Sequence, residues 1–117
     1  MKSYTDLEQS KKLAEILPLE SADMKILPFT EREYRIVPIN DIAVCGRDDE
    51  IYAWSLAALL NVLPAECECM SLEHINYGNN HKKYFMSYIG GENTDTYDNP
   101  VDACVAMIEK LNKLNML

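Results

Sequence analysis

The sequence has 117 residues, which suits one compact domain, and 48% of them are hydrophobic, enough for a core without disulfide staples. Its formal net charge is −8, because 19 Asp and Glu residues outnumber 11 Lys and Arg residues. This balance argues against direct binding to nucleic acid, which needs a clustered basic face, and against docking on an anionic membrane.

The sequence shows no targeting or membrane-spanning pattern. Residues 1–6 lack the apolar core of a secretory signal, and no apolar run reaches the roughly 20 residues of a spanning helix. The four cysteines are then most simply reduced thiols. We therefore expect a single cytoplasmic domain, residues 1–117, without a cofactor.

A capping box marks the first predicted helix. Thr5 and Glu8 are three residues apart, so that each side chain can accept a hydrogen bond from the other's backbone N–H. The helix is predicted to run to Leu17 and to stop at Pro18. Its narrow apolar stripe is typical of an amphipathic helix on the surface.

Prolines at positions 18, 28 and 38 exclude a long helix from the next segment. Residues 21–27 are predicted to form a short turn capped by Ser21. Residues 34–37 and 42–45 each have the composition of a short strand.

The longest apolar segment, residues 51–63, predicts a central helix. It contains the only tryptophan, Trp54, it is rich in alanine and leucine, and Pro64 closes it. The segment is apolar nearly all round, which is typical of a buried helix. Ser55 falls inside this predicted helix, and the acidic residues 48–50 suit its positive end.

After Pro64 the sequence pattern becomes typical of β-strands. Residues 69–77 and 83–89 predict a hairpin, because the residues between them include Gly78, Asn79 and Asn80, which tolerate positive φ. Residues 94–97 fit a third strand, which would complete an antiparallel meander.

The clearest boundary precedes the last helix. Asn99 is a good N-cap and Pro100 suits the first helical position, so a helix is predicted from there to about Leu114. We therefore predict an α+β fold. An antiparallel sheet of three to five strands would be packed by the central and C-terminal helices, with the N-terminal helix at the edge.

Four tyrosines lie in or beside the predicted strands: Tyr77, Tyr84, Tyr88 and Tyr97. Some of them are expected on the sheet face away from the helices, where tyrosine can anchor a protein partner. Tyrosine is also an ordinary strand former, so a purely structural role is the alternative.

A metal or catalytic site could be built on Cys67, Cys69 and His74. In a strand the two cysteines would point to one face, which permits chelation, but a second well-spaced ligand pair is missing. Cys104 falls in an apolar helical stripe, where cysteine is usually a small core residue. We assign no catalytic, cofactor-binding or metal residue, and keep a small enzyme or metal protein as an alternative.

A second alternative is an acidic decoy that mimics the phosphate charge of nucleic acid and occupies a nucleic-acid-binding protein. An acidic charge more often serves solubility. The decoy would require the following carboxylates to line one surface at regular spacing: Glu31, Glu33, Glu66, Glu68, Glu73, Glu92, Asp95 and Asp98.

Three stretches, taken together and in this order, resemble small conserved proteins of bacterial prophages, conjugative elements and gut Bacteroides-type genomes. They are LPLESADM at 17–24, AWSLAALLNVLP at 53–64 and DNPVDACVAMIEKL at 98–111. The resemblance implies a mobile-element context and transfers no catalytic residues. The leading hypothesis is therefore a non-enzymatic interaction protein of a phage or mobile element, which binds a protein partner or forms a homodimer through its tyrosines.

Overall fold

The computed structural model describes residues 2–28, 34–39, 51–63, 71–76, 78, 82–87 and 93–114. It confirms the α+β fold, with helices near both ends of the described chain and antiparallel strands between them. Within these residues the strands form two sheets, one with the order β2-β1-β3 and one of β4 and β5. The elements in chain order are α1 (Leu7–Ile16), a 3₁₀ turn (Leu19–Ser21), β1 (Met24–Pro28), β2 (Tyr34–Pro38), β3 (Ile51–Ala53), α2 (Leu56–Val62), β4 (Ser71–Asn76), β5 (Lys82–Ser87) and α3 (Pro100–Lys113).

The first helix is capped one residue later than the sequence predicts. Asp6 is the N-cap and Gln9 is its partner: Gln9 N–H donates to Asp6 Oδ1 at 2.8 Å, and Asp6 N–H donates to Gln9 Oε1 at 3.1 Å. Thr5 is buried instead, and its hydroxyl oxygen accepts the Trp54 N–H at 3.1 Å. Because aspartate caps a helix as well as threonine does, Thr5 can tie the N-terminal segment to the middle of the chain.

β1 occupies the centre of the three-stranded sheet, where the sequence predicts a short turn over residues 21–27. Met24 lies opposite Pro38 of β2 on one side and opposite Ala53 of β3 on the other. The prediction of a turn was wrong because pairing along both edges stabilises β1, and such pairing leaves no local pattern in the sequence.

The segment 51–63 contains a strand and a helix rather than one continuous helix. Residues Ile51–Ala53 form β3, and α2 begins only at Leu56. Ser55 is the N-cap of α2, and its Oγ accepts a backbone N–H of the first turn at 3.3 Å. The Ser55 hydroxyl also donates to Asp23, and its N–H donates to Asp23 Oδ1 at 2.9 Å. Placing Ser55 inside the helix was wrong, because serine satisfies backbone groups best at a helix start.

The short helix α2 is buried on one side. Ala58 and Leu59 are buried and join the core with α3, whereas Leu60 is 43% exposed. Trp54, just before the helix, is fully buried, and its indole N–H donates to Ser21 Oγ at 2.9 Å.

The remaining predicted strands are described in part. β2 confirms the strand predicted at 34–37, whereas residues 42–45 lie outside the described residues. β4 and β5 confirm the hairpin, in which Gly78 has a φ of +85° and its N–H donates to Asn76 Oδ1 at 2.9 Å. Residues 94–97 lie beside β5 but form a single bridge rather than a strand.

The last helix begins as predicted and lies at the centre of the core. Asn99 caps it by accepting the Asp102 N–H at 2.9 Å. The helix packs against β5, β4, α2 and α1. Its buried residues are Pro100, Val101, Ala103, Cys104, Val105, Met107, Ile108 and Leu111.

Candidate functional site

Two of the four predicted interaction tyrosines are described, and they lie side by side. Tyr84 N–H donates to the Tyr97 carbonyl at 2.7 Å, and Tyr97 N–H donates to the Tyr84 carbonyl at 2.8 Å. Residues paired in this way project their side chains to the same face of a sheet. Tyr77 and Tyr88 lie outside the described residues.

His74 extends this pair into a row across three neighbouring segments of chain. It lies opposite Tyr84 in the register of β4 and β5, and the two rings are 6.2 Å apart between centroids with a tilt of 46°. His74 is exposed, whereas Tyr84 and Tyr97 are half-buried. We call His74, Tyr84 and Tyr97 the aromatic row. The structure thus brings together residues that the sequence placed in separate hypotheses.

The aromatic row lies on the helix-facing side of the hairpin, so Tyr84 and Tyr97 are not on the sheet face away from the helices, where interaction tyrosines were expected. Tyr84 is two residues from Met86 and therefore shares its side of β5, and Met86 is 1% exposed. The sulfur atoms of Met86 and Cys104 in α3 are 3.9 Å apart. The outward side carries Phe85 and the partly exposed Ile75 instead. The row therefore lies at the margin of the core. Tyr84 and Tyr97 pack against the core, and His74 is exposed to solvent.

Tyr97 also lines two open depressions on the exposed side of α3. The first holds about 300 Å³ and lies towards α1, and the second holds about 320 Å³ and lies towards residues 93–97. Both include Ala106 and Glu109 of α3. We call the two depressions together the Tyr97 groove. Their volumes are at the lower end of the range for ligand pockets, which suits a side chain better than a large ligand.

Carboxylates dominate the electrostatic environment of Tyr97. Burial raises the pKa of its hydroxyl, and the negative charges of Asp95, Glu109 and Asp102 raise that pKa further, against the opposing charge of Lys110. The hydroxyl is therefore protonated at neutral pH and can donate a hydrogen bond as well as accept one.

A polar cluster borders the first depression and joins the N-termini of α1 and α3. The Lys2 ammonium donates to Asp6 at 2.9 Å and to Asp102 at 2.8 Å. The side-chain amides of Gln9 and Asn99 donate to the two oxygens of Asp102 at 2.7 and 2.9 Å. We call these five residues the N-terminal clasp. Both oxygens of each carboxylate have a donor, so the clasp stabilises the fold rather than offering a free binding group.

The charges of the clasp shift the pKa values of its members. Burial would raise the pKa of both carboxyl groups, but hydrogen bonds outweigh it, so the pKa values of Asp6 and Asp102 are lowered. Burial would likewise lower the pKa of Lys2, yet its hydrogen bonds and charge interactions with the two carboxylates raise it.

The proposed cysteine and histidine site is described only at His74. Its imidazole lies beside Tyr84 on an exposed strand, whereas Cys67 and Cys69 lie outside the described residues. Within the described chain, no three His, Cys, Asp or Glu side chains are grouped so as to hold a metal ion. Cys104 is fully buried, and burial raises the pKa of its thiol to about 12, so it is protonated at neutral pH.

The acidic residues named for a decoy are also described in part. Glu73 is exposed on the outward side of β4, and Asp95 is exposed beside Tyr97. Asp98 forms an ion pair with Lys83, which offsets its charge. The decoy residues Glu31, Glu33, Glu66, Glu68 and Glu92 lie outside the described residues.

Comparison with known proteins gives no relative for this arrangement. No protein-family model, curated protein or solved structure matches the chain. In the described part of the chain, no helix has both the length and the apolar character needed to cross a membrane.

Proposed function

We propose that the chain is a non-enzymatic protein-interaction protein of a phage or mobile element, acting in the cytoplasm and binding its partner through the aromatic row. The single observation that carries this proposal is the row itself. It places three adjacent aromatic side chains at the margin of the core, from exposed His74 to half-buried Tyr97. Tyrosine is enriched in the energetically dominant parts of protein interfaces, because it offers a large apolar ring and a polar tip.

The shape of the surface beside the row supports binding. The Tyr97 groove supplies a concave surface next to the ring of Tyr97, and concave sites bury more of a partner's side chain than flat ones. Paired hydrogen bonds fix the backbone at Tyr84 and Tyr97, and their side chains pack against the core, so they lose less rotamer freedom on binding than fully exposed tyrosines would.

The mobile-element context rests on the resemblance of three stretches. They correspond to the 3₁₀ turn with the start of β1, to α2 with the residues around it, and to α3 with its cap. These elements build the core, so the resemblance supports a shared fold and leaves the binding surface to be tested directly.

The proposal is tested by site-specific photo-cross-linking in the host cell. The photoreactive residue p-benzoylphenylalanine replaces His74 in one chain and, as the control, Leu60, which is 43% exposed on α2. We expect a discrete cross-linked product from position 74 and little from position 60. A product of twice the chain mass would identify a homodimer, and any other mass a different protein partner. No product at position 74, or equal products at both positions, would contradict the proposal.

A further inference from the structure

The Tyr97 groove has a charge pattern that selects among partners. The first depression is lined by four carboxylates and one ammonium group, that of Lys12. Two of these carboxylates belong to the clasp and share Lys2 as their counter-ion, which leaves Glu8 and Glu109, opposed by the single charge of Lys12. On the other side of the ring, Asp95 adds a further negative charge.

The second depression is more balanced. Asp95 and Glu109 face Lys110 and Lys113 there, and the ammonium group of Lys110 donates to the carbonyl of Asn93 at 3.0 Å. The excess of negative charge is therefore greatest at the ring of Tyr97 and towards α1.

We propose that the Tyr97 groove receives an arginine or lysine side chain from a basic segment of the protein partner. The cation would lie against the ring of Tyr97, between Glu109 and Glu8. This inference rests on the proposed function, and it adds the chemistry of the partner.

Several features of the chain support a cationic occupant. A cation within about 6 Å of a tyrosine ring is attracted by the electrons of its face. The protein itself contains this arrangement, since the ammonium group of Lys25 lies 5.0 Å from the ring centroid of Tyr52. Ala106, which lines both depressions, carries only a methyl group, so it leaves room beside the Tyr97 ring.

The net charge of the chain disfavours two other occupants of the groove, a second copy of the chain and a phosphate-rich partner. At a formal net charge of −8, a second copy of the chain and any phosphate-rich partner are repelled, whereas a basic segment is attracted. Electrostatic complementarity of this kind raises the rate of association and discriminates against acidic surfaces.

The test uses the full chain and three synthetic peptides observed by NMR. Each is an acetylated and amidated pentapeptide with four glycines and one central residue: arginine, citrulline or glutamate. Citrulline has the shape of arginine without its charge. We expect the arginine peptide, at about 10 mM, to shift the backbone amides of Tyr97, Ala106 and Glu109 in a saturable way. The citrulline and glutamate peptides should leave these amides unchanged.

Two further comparisons decide whether charge at the groove is the cause. Glu109→Gln should weaken binding of the arginine peptide about threefold. The matched control Glu20→Gln, an exposed residue of the 3₁₀ turn, should leave it unchanged. Raising the salt concentration from about 50 to about 500 mM should also weaken binding, since exposed charges are screened.

The outcomes separate this inference from the proposed function. Equal shifts with citrulline, shifts scattered over the surface, or no shift at all would overturn the assignment of a basic segment. If cross-linking at position 74 succeeds in that case, the interaction function still stands and its partner is not basic at this point. If the arginine peptide binds but cross-linking fails, the groove binds a cation as inferred, whereas the proposed interface through His74 is contradicted.

Discussion

The two sheets of this protein differ in what they leave available for a partner. At one end of the three-stranded sheet, in the residues just before β1 and just after β3, polar groups satisfy one another: the Thr5 hydroxyl accepts from the Trp54 N–H, and Asp23 accepts twice from Ser55. The hairpin of β4 and β5 is attached by the packing of Met86 and by the backbone pair with Tyr97. The first region uses its polar groups for stability, and the second leaves aromatic groups at its margin.

This contrast follows from the different costs of burial. A buried polar group without a partner costs about 1–3 kcal/mol, so the pairing of the buried hydroxyls of Thr5 and Ser10, 2.8 Å apart, avoids a loss of stability of that size. Tyr84 and Tyr97 are half-buried, so the full cost of burying an unpaired hydroxyl does not apply to them. We therefore expect substitutions in the aromatic row to change stability less than substitutions of the buried hydroxyls.

The largest expected effect tests whether the two regions share one core. Ile108 of α3 is fully buried, and Ile108→Ala should lower the free energy of unfolding by about 2–5 kcal/mol because it leaves a cavity. Urea unfolding, followed by circular dichroism and by Trp54 fluorescence, should give one shared transition. The control Leu114→Ala, at a position 54% exposed, should change stability by less than about 0.5 kcal/mol. Two separate transitions would show that the regions fold independently.

A matched pair of threonines compares the two regions directly. Thr5 is fully buried, whereas Thr94 is half-buried and its hydroxyl accepts the Met86 N–H at 2.8 Å. Thr5→Val should cost about 1–3 kcal/mol, because it removes the partner of Trp54 and Ser10. Thr94→Val should cost less, about 0.5–1.5 kcal/mol, because Thr94 is half-buried whereas Thr5 is fully buried. An equal or reversed order in urea unfolding would contradict the proposed division of roles.

The N-terminal clasp should make stability depend on pH. Lys2→Met should lower the free energy of unfolding at pH 7 by up to about 1 kcal/mol. The expected loss is small because the two ion pairs of Lys2 are partly exposed, and solvent screens their charges. Asp6 and Asp102 have lowered pKa values, so their contribution is present above the ordinary value of 3.8 and is lost as the pH falls further. Lys2 has a raised pKa, so its contribution is present below 10.5 and is lost at higher pH.

The expected difference between the wild-type chain and Lys2→Met is thus constant between about pH 5 and pH 9 and shrinks on either side. Urea unfolding at a series of pH values would measure it. A difference that persisted undiminished well below pH 3.8 would show that packing of the lysine stem, rather than its charge, is responsible.

The smallest expected effect on stability belongs to the aromatic row. His74 is exposed, so His74→Ala should change the free energy of unfolding by less than about 0.5 kcal/mol. Thermal unfolding measured by circular dichroism would check this. A loss above about 1 kcal/mol would mean that His74 supports the hairpin and would weaken the interface proposal.

Features set by neighbouring residues were predictable from the sequence. Asn99 and Pro100 predicted where α3 begins, and the residues around Gly78 predicted the turn of the hairpin. Both features depend on only a few adjacent residues. β1 was missed because its pairing with β2 and β3 joins segments that are distant in sequence. Ser55 was predicted inside a helix because β3 and α2 follow one another directly. Their apolar residues then form one continuous run, in which the N-cap is not recognisable.

The candidate site was predictable in its residue types and not in its geometry. The composition of the strands pointed to Tyr84 and Tyr97, but their side of the hairpin depends on the packing of Met86 against α3. The clasp joins Lys2 to Asp102, one hundred positions apart, and no local spacing indicates such a contact.

The most direct test of the division between the two regions compares partner capture by two variants. Chains carrying His74→Ala or Thr5→Val would be immobilised at a temperature where both are folded, and binding of the cross-linked partner would be measured for each. We expect His74→Ala to retain its stability and lose the partner, and Thr5→Val to lose stability and keep the partner. If His74→Ala still bound the partner while folded Thr5→Val did not, the aromatic row would not be the interface.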